Sequence, residues 1–362
     1  RQATMEHVIE QWQQQIAHAT QSGGHLDIRG GGSKSFYGHA PVGEPLDTGL
    51  YSGVVSYEPS ELVVTARAGT PLDELQATLA EHEQMLAFEP PHFGPATVGG
   101  CIAAGLSGPR RMRAGPLRDF VLGTQLLDGG GKLLNFGGQV MKNVAGYDVS
   151  RLLAGSLGTL GIITEVSLKV LPQPEEELTV SLPMGLDEAR TATQTWAGKP
   201  LPISATLWAG GELRVRLSGA SSAIHSAAQS IGGHRLEPTA AETLWQQLRE
   251  HQLPFFLAGE QPLWRLALPA LAHLHSEAPF NCDNLLLEWN GGQCWLRSAL
   301  PADRIREFAI KAGGHATLFR GGDKSCGVFT PLAGPLLTLQ QRLKKEFDPA
   351  GVFNPGRMYP SL

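Results

Sequence analysis

Three glycine-rich segments constrain this chain more than any other feature: Ile28-Arg29-Gly30-Gly31-Gly32-Ser33-Lys34, Thr97-Val98-Gly99-Gly100, and the stretch from Gly155 through Ser156, Leu157, Gly158, Thr159, Leu160, Gly161, Ile162 and Ile163 to Thr164. Glycine lets backbone approach another group closely, because it has no Cβ and reaches positive φ cheaply. The first segment follows a short apolar strand, His25-Leu26-Asp27-Ile28. A strand that opens into consecutive free amides makes a concavity suited to anions. Three such loops in one half of a chain imply a large ligand with a diphosphate, held mostly by main chain. The form excludes two common nucleotide sites. The first segment is not GxxxxGK[ST], and its spacing differs from the dinucleotide fingerprint of the doubly wound fold.

Composition narrows the class further. At 362 residues the chain is long enough for two domains, each with its own core. A hydrophobic content of 42% with 17% charged residues is that of a globular protein. The net charge of −5, without any basic block, argues against nucleic acid as a partner. Cys101, Cys282, Cys294 and Cys326 are widely spaced, with no CxxC pair, and read as inert thiols in a reducing compartment. Met5 to Trp12 reads as an amphipathic helix and not as a secretory leader. The greasiest stretch, Leu152 to Leu171, is interrupted by Glu165, Lys169 and three glycines, so it does not read as a membrane span. The first residue is Arg1 and not Met, which is expected where a native start is missing or processed.

Periodicity predicts a helix over 5–20 with Val8, Trp12, Ile16 and Ala19 on one face, and strands over 54–57 and 62–66. Thr70-Pro71 reads as the start of a helix with Thr70 as N-cap and Leu72, Leu75 and Leu79 buried. A helix at 100–106 is expected. Residues 120–127 and 132–136 read as a hairpin closed by Asp128-Gly129-Gly130-Gly131, followed by a strand over 161–170. Pro172 to Glu177 has the composition of a linker. Beyond it come strands at 179–182, 213–217, 285–289 and 294–297, helices at 187–196, 221–231 and 302–312, and a last helix at 335–347. Strands and helices without regular alternation give an α+β class. The expected organisation is a ligand-binding domain over 1–172, a smaller α+β cap over 178–335 and a tail over 336–362 that returns to the first domain.

Together with Glu89-Pro90-Pro91-His92, Gly108-Pro109-Arg110-Arg111, Arg118 to Gly123, Val140 to Asp148, Gly313-Gly314-His315-Ala316-Thr317 and Phe353-Asn354-Pro355-Gly356-Arg357-Met358-Tyr359, the glycine segments resemble the vanillyl-alcohol-oxidase (PCMH-type) FAD-binding family. Within it the chain is similar to the FAD-binding E-subunit family of bacterial glycolate oxidases, from about residue 25 to the end. The resemblance implies a two-domain PCMH-type FAD-binding fold with a smaller α+β cap. It implies that Arg29, Gly30, Gly31, Gly32, Ser33 and Lys34 wrap the FAD pyrophosphate, and that Thr97, Val98, Gly99 and Gly100 pass beside the ribityl chain and diphosphate. Gly105, Ser107 and Gly115 would line the flavin, Gly161 and Ile163 the adenine side, and Asn354 would approach the isoalloxazine.

Relatives with covalent flavin place His where Ser33 stands, so FAD is expected to be non-covalent. Many relatives carry an acid where this chain has Leu157. A His-x-Gly-Asp-Gly-Asn-x-His type site of related dehydrogenases has no counterpart, and no metal is expected. The resemblance implies a subunit that oxidises glycolate, a 2-hydroxy acid, to glyoxylate, with a larger FAD-containing subunit and an iron–sulfur subunit as partners. The complex would be cytoplasmic, with peripheral contact to the inner face of the membrane. Dehydrogenation needs a base and a cation for the carboxylate; His315 and Arg320 are the candidates, with His92, Arg113 and Arg357 competing. Two alternatives stay open: a self-sufficient D-2-hydroxy acid dehydrogenase, and an FAD-binding or assembly subunit without turnover.

Overall fold

The computed structural model describes residues 2–138, 149–270, 281 and 283–362. The Val140–Asp148 motif, His273, His275 and Cys282 lie outside these. The chain divides into two compact units. The first comprises Arg1–Leu106, Pro116–Pro172 and Pro331–Leu362, and the second Ser107–Gly115 and Gln173–Thr330. Helices packed on antiparallel sheets give the α+β class that the element pattern predicts.

The first unit opens with a helix, Gln2–Ser22, whose Val8, Trp12, Ile16 and Ala19 are buried. A spacing of three or four residues puts them on one stripe. That stripe packs on Leu26, Leu46, Tyr51, Leu127, Ile162, Val352 and Phe353. The strand Leu26–Arg29 pairs in parallel with Glu44–Asp47. Nothing in Glu44-Pro45-Leu46-Asp47 reads as a strand, since all but Leu46 are poor strand formers; pairing imposes the conformation. A five-stranded antiparallel sheet runs in the order Val54–Glu58, Val63–Arg67, Ile162–Lys169, Val121–Leu127, Leu133–Gly137. The predicted hairpin turn is present: Asp128 Oδ1 accepts from the amides of Gly130 and Lys132, both at 2.9 Å.

Two helix starts differ from expectation. Pro71 is the N-cap of Leu72–Ala80, and Thr70 Oγ1 is committed elsewhere, accepting from Gly53 N at 2.9 Å. The second glycine segment enters its helix two residues early, at Val98–Ala104, because Thr97 caps it, and Gly105 at φ 67° ends it.

The second unit is built on an eight-stranded antiparallel sheet. Its order is His234–Arg235, Glu176–Pro183, Glu212–Gly219, Ile203–Ala209, Leu285–Glu288, Gln293–Arg297, Leu263–Ala267, His315–Arg320. Ala189, Ile224, Ala227, Ala228, Ile305 and Ala309, on the helices Leu186–Ala197, Ser221–Ile231 and Ala302–Lys311, share one core with the sheet. The expected linker is shorter than its composition indicates, for Glu176 and Glu177 already belong to a strand. The charge of Glu177 is answered by Arg110 and Arg216: both its oxygens accept from Arg110 Nη2, at 3.1 and 3.0 Å, and Arg216 Nε lies 3.2 Å away. Arg110 belongs to the short excursion Ser107–Gly115, which lies in the second unit although the expected first domain, 1–172, spans it in sequence. Trp289 Nε1 donates to Gly108 O at 3.0 Å, and the Arg111 guanidinium lies over the Trp289 ring at 4.6 Å.

Candidate functional site

A cleft in the first unit has an empty volume of about 780 Å³ counting its open mouth, within the ~300–1,000 Å³ range of ligand sites. Residues of all three glycine segments line it: Ile28–Lys34, then Thr97, Gly99 and Gly100, then Leu157, Gly158, Gly161 and Ile163. Asn354 and Arg357 of the returning tail line it as well.

The first segment follows the end of the parallel strand pair. Its glycines are demanded by a neighbour: a Cβ at Gly31 would overlap the Pro95 carbonyl oxygen, and one at Gly30 would overlap Thr97 Oγ1. The amides of Gly30, Gly31, Gly32 and Ser33 donate to no acceptor among the described residues. Gly30 and Ser33 are half-buried and Gly31 and Gly32 exposed, so four free amides in sequence along a cleft form an arc open to anionic oxygens. Lys34 brings positive charge beside the arc, its Nζ 3.2 Å from His92 O, while the buried Asp27 answers the charge of Arg29.

The second segment is satisfied internally. Val98 N donates to Thr70 O at 2.9 Å, Gly99 N to Ala68 O at 2.8 Å, and Gly100 N to Thr97 Oγ1 at 3.2 Å. Gly99 is there for packing, since a Cβ would stand 2.7 Å from the Ala68 Cβ. On the same helix, Cys101 is fully buried, which pushes its thiol up to about 11 against a small opposing effect of Lys34.

The third segment hangs on that helix. Gly155 N donates to Ile102 O at 3.0 Å and Leu157 N to Ala103 O at 2.9 Å, which satisfies carbonyls that a helix end leaves open. Leu157, at φ 53°, is in turn held by the tail, for Asn354 Nδ2 donates to its carbonyl at 2.7 Å. The other end of that amide, Oδ1, accepts from Ile28 N at 2.7 Å.

The implied FAD fits this donor set: an arc of free amides with lysine and arginine beside it suits a diphosphate, and the apolar and glycine walls leave room for the rest. Of the residues expected at the cofactor, Arg29 to Lys34, Thr97, Gly99, Gly100, Gly161, Ile163 and Asn354 line the cleft. Val98 and Gly105 belong to the same unit without lining it, whereas Ser107 and Gly115 belong to the second unit. His315 and Arg320 also belong to the second unit, at opposite ends of one edge strand. Five residues of strand put their Cα atoms ~16 Å apart. Burial and Arg265 hold the His315 imidazole below its ordinary range, and burial with Arg297 does the same to Arg320. Of their competitors, His92 bonds Gln76 at 2.8 Å, Arg113 lies in the second unit, and Arg357 is bound by main-chain carbonyls. Sequence reasoning missed Asp27, Thr48 and Ala104 in the lining. No motif marks these three; only pairing and packing bring them there. No group of three or more metal-ligating side chains is present among the described residues.

Comparison with known proteins agrees with this geometry. The family model described as "FAD binding domain" matches residues 7–137. The chain is 46% identical over 357 residues to "Glycolate oxidase subunit GlcE" of Escherichia coli, covering 98% of this chain and 97% of that one. It is 34% identical over 157 residues to "Glycolate oxidase subunit GlcD" of Bacillus subtilis, covering 42% of this chain and 33% of that one. A solved structure of alkyldihydroxyacetonephosphate synthase superimposes with a TM-score of 0.68 at 15% identity, over 95% of this chain and 74% of that one, and this likeness concerns the fold. With nearly half the residues shared along almost the whole of both chains, the protein belongs to the glycolate oxidase subunit GlcE family of FAD-binding oxidoreductases, and FAD is its cofactor.

Proposed function

We propose that this chain is the FAD-holding subunit of a complex that oxidises glycolate to glyoxylate, with electrons leaving through a larger FAD-containing subunit and an iron–sulfur subunit. The observation that carries the reading is the arc of four unsatisfied amides, Gly30 to Ser33, facing two further glycine segments across one cleft. In this reading FAD supplies the two-electron acceptor for a 2-hydroxy acid. The amides bind the diphosphate, with Lys34 adding charge that Asp27 partly withdraws from Arg29. Ser33 offers a hydroxyl where a covalent link would need imidazole, so contacts alone hold the cofactor. The word "subunit" in the names of GlcE and GlcD supports a multi-subunit setting. The distance between His315 and Arg320 favours a chain whose turnover depends on its partners. Cytoplasmic placement, with peripheral contact to the inner face of the membrane through the complex, belongs to the same proposal. Among the described residues no helix is long and apolar enough to cross a membrane.

An anaerobic titration with glycolate tests it, first on the pure chain and then with the partner subunits added. The expected preparation is yellow, releases all its flavin on acid precipitation, and bleaches little with glycolate until the partners are present. A colourless protein that takes up no added FAD overturns the proposal. Rapid bleaching of the isolated chain replaces it with a self-sufficient 2-hydroxy acid dehydrogenase.

A further inference from the structure

The tail does more than close the first unit. Its helix Gly334–Phe347 ends in a buried knot: Lys344 Nζ donates to Asp348 Oδ2 at 2.7 Å, to Thr159 O at 2.6 Å and to Phe353 O at 2.8 Å. The Asp348 carboxylate also accepts from Val352 N and Phe353 N. Burial lowers the proton affinity of Lys344 while Asp348 opposes that shift, and these contacts of the pair all lie inside the protein. From the knot the chain runs beside the strand Leu26–Arg29. Leu26 N donates to Val352 O at 2.8 Å and Asn354 N to Leu26 O at 3.0 Å.

Two side chains then bracket the arc of free amides. Ahead of it, the Asn354 amide ties Ile28 N to the Leu157 carbonyl, joining the first glycine segment to the third. Asn354 is 3% exposed and sits at φ 40°, a region asparagine tolerates better than most residues. A Cβ on the adjoining Gly158 would come 2.5 Å from its Nδ2. Behind the arc, Arg357 donates to the carbonyls of Ser35, His39 and Tyr37 at 3.2, 2.7 and 2.9 Å. Between the brackets the backbone contributes two turn-closing bonds, Ser35 N to Gly32 O at 3.3 Å and Tyr37 N to Lys34 O at 3.0 Å. A loop with so few bonds of its own takes its shape from what holds its ends.

We propose that Asn354 and Arg357 are positioning residues, which preorganise the Gly30–Ser33 amides for the FAD diphosphate by fixing the chain on either side of them. This assigns Asn354 a different part from contact with the flavin ring. It rests on FAD as the ligand and is independent of substrate and partners. Preorganised donors bind more tightly because no ordering cost falls due on binding.

The test uses the full chain with FAD as the probe, and the variants Asn354→Asp and Arg357→Lys. Aspartate keeps an acceptor for Ile28 N and sets a second oxygen against the Leu157 carbonyl; lysine keeps the charge and cannot reach three carbonyls at once. Three quantities are read: the FAD dissociation constant by fluorescence quenching, the flavin spectrum at saturation, and the rise in melting temperature that saturating FAD produces. Each variant is expected to weaken FAD by about 10- to 100-fold, the effect of leaving one buried polar group without its partner. The saturated spectrum should stay that of the unaltered protein, and the FAD-induced rise should shrink. A shifted spectrum at saturation for Asn354→Asp makes Asn354 a ring contact and overturns the proposal. A lower melting temperature without FAD, combined with an unchanged dissociation constant and unchanged FAD-induced rise, reduces both residues to fold stabilisers and overturns it too. Should Asn354→Asp lose cooperative unfolding, the same readings on Arg357→Lys decide. Failure of the unaltered chain to bind FAD would instead count against the cofactor reading.

Discussion

The first and second glycine segments look alike in sequence and do opposite work. Gly30 to Ser33 keep their amides unused and spend their lack of side chains on fitting against Pro95 and Thr97. In Thr97 to Gly100 every amide from Val98 onward is used, by Thr70, Ala68 and the Thr97 hydroxyl, and Gly99 admits the Ala68 methyl group. Both reach the same cleft, yet one offers donors and the other a wall. A run of glycines thus marks close approach, and the fate of its N–H groups decides whether the approach is to a ligand or to the protein.

The contrast can be broken most severely at Gly31. Gly31→Ala puts a methyl group into the Pro95 carbonyl, so the donor arc must move, and FAD affinity should fall by about 100-fold, from the ~3 kcal/mol that overpacking costs. Fluorescence titration checks this. An unchanged affinity would show that the arc is not the diphosphate site.

A second effect belongs to the wall. The ordinary thiol value is 9.0 and burial raises that of Cys101 to about 11, so the fold favours the neutral form. Its stabilising contribution is therefore complete below pH ~9 and lost as pH rises from 9 towards 11, about 2.5 kcal/mol in all. Urea unfolding across that range should show the loss in the parent protein and a flatter profile in Cys101→Ala. Equal slopes would mean that the helix behind the second segment admits water.

The smallest effect sharpens the comparison. Gly99→Ala, crowding Ala68, should cost about 1–3 kcal/mol of stability while the rise in melting temperature on FAD addition is kept. Gly100→Ala is its control, because the nearest atom to its Cβ would be Thr97 Oγ1 at 3.1 Å. A selective loss of FAD binding in Gly99→Ala would return the second segment to the class of donors.

Much of this was legible in the chain. The stripe of Val8, Trp12, Ile16 and Ala19, the turn at Asp128 and the convergence of three glycine segments follow from local spacing and turn chemistry. What stayed hidden depends on partners distant in sequence. Glu175-Glu176-Glu177 after two prolines has the composition of a linker, yet Glu177 pairs with Ser218 in a strand, and Arg110, sixty-seven residues earlier, and Arg216 answer its charge. Thr70 satisfies every rule for an N-cap and is drawn away by Gly53. Asn354 carries no local mark of its task, because the groups it joins, Ile28 and Leu157, meet only in the fold.

The excursion Ser107–Gly115 sets a rule for anyone wishing to cut or recombine this protein. Because nine residues of the second unit are threaded through the first half of the polypeptide, no single cleavage point separates a cofactor module from the remainder. A fragment ending at Pro172 would strand Arg110 without Glu177 and Gly108 without Trp289. A chimaera that exchanges residues 173–330 between relatives must therefore bring the matching nonapeptide with it.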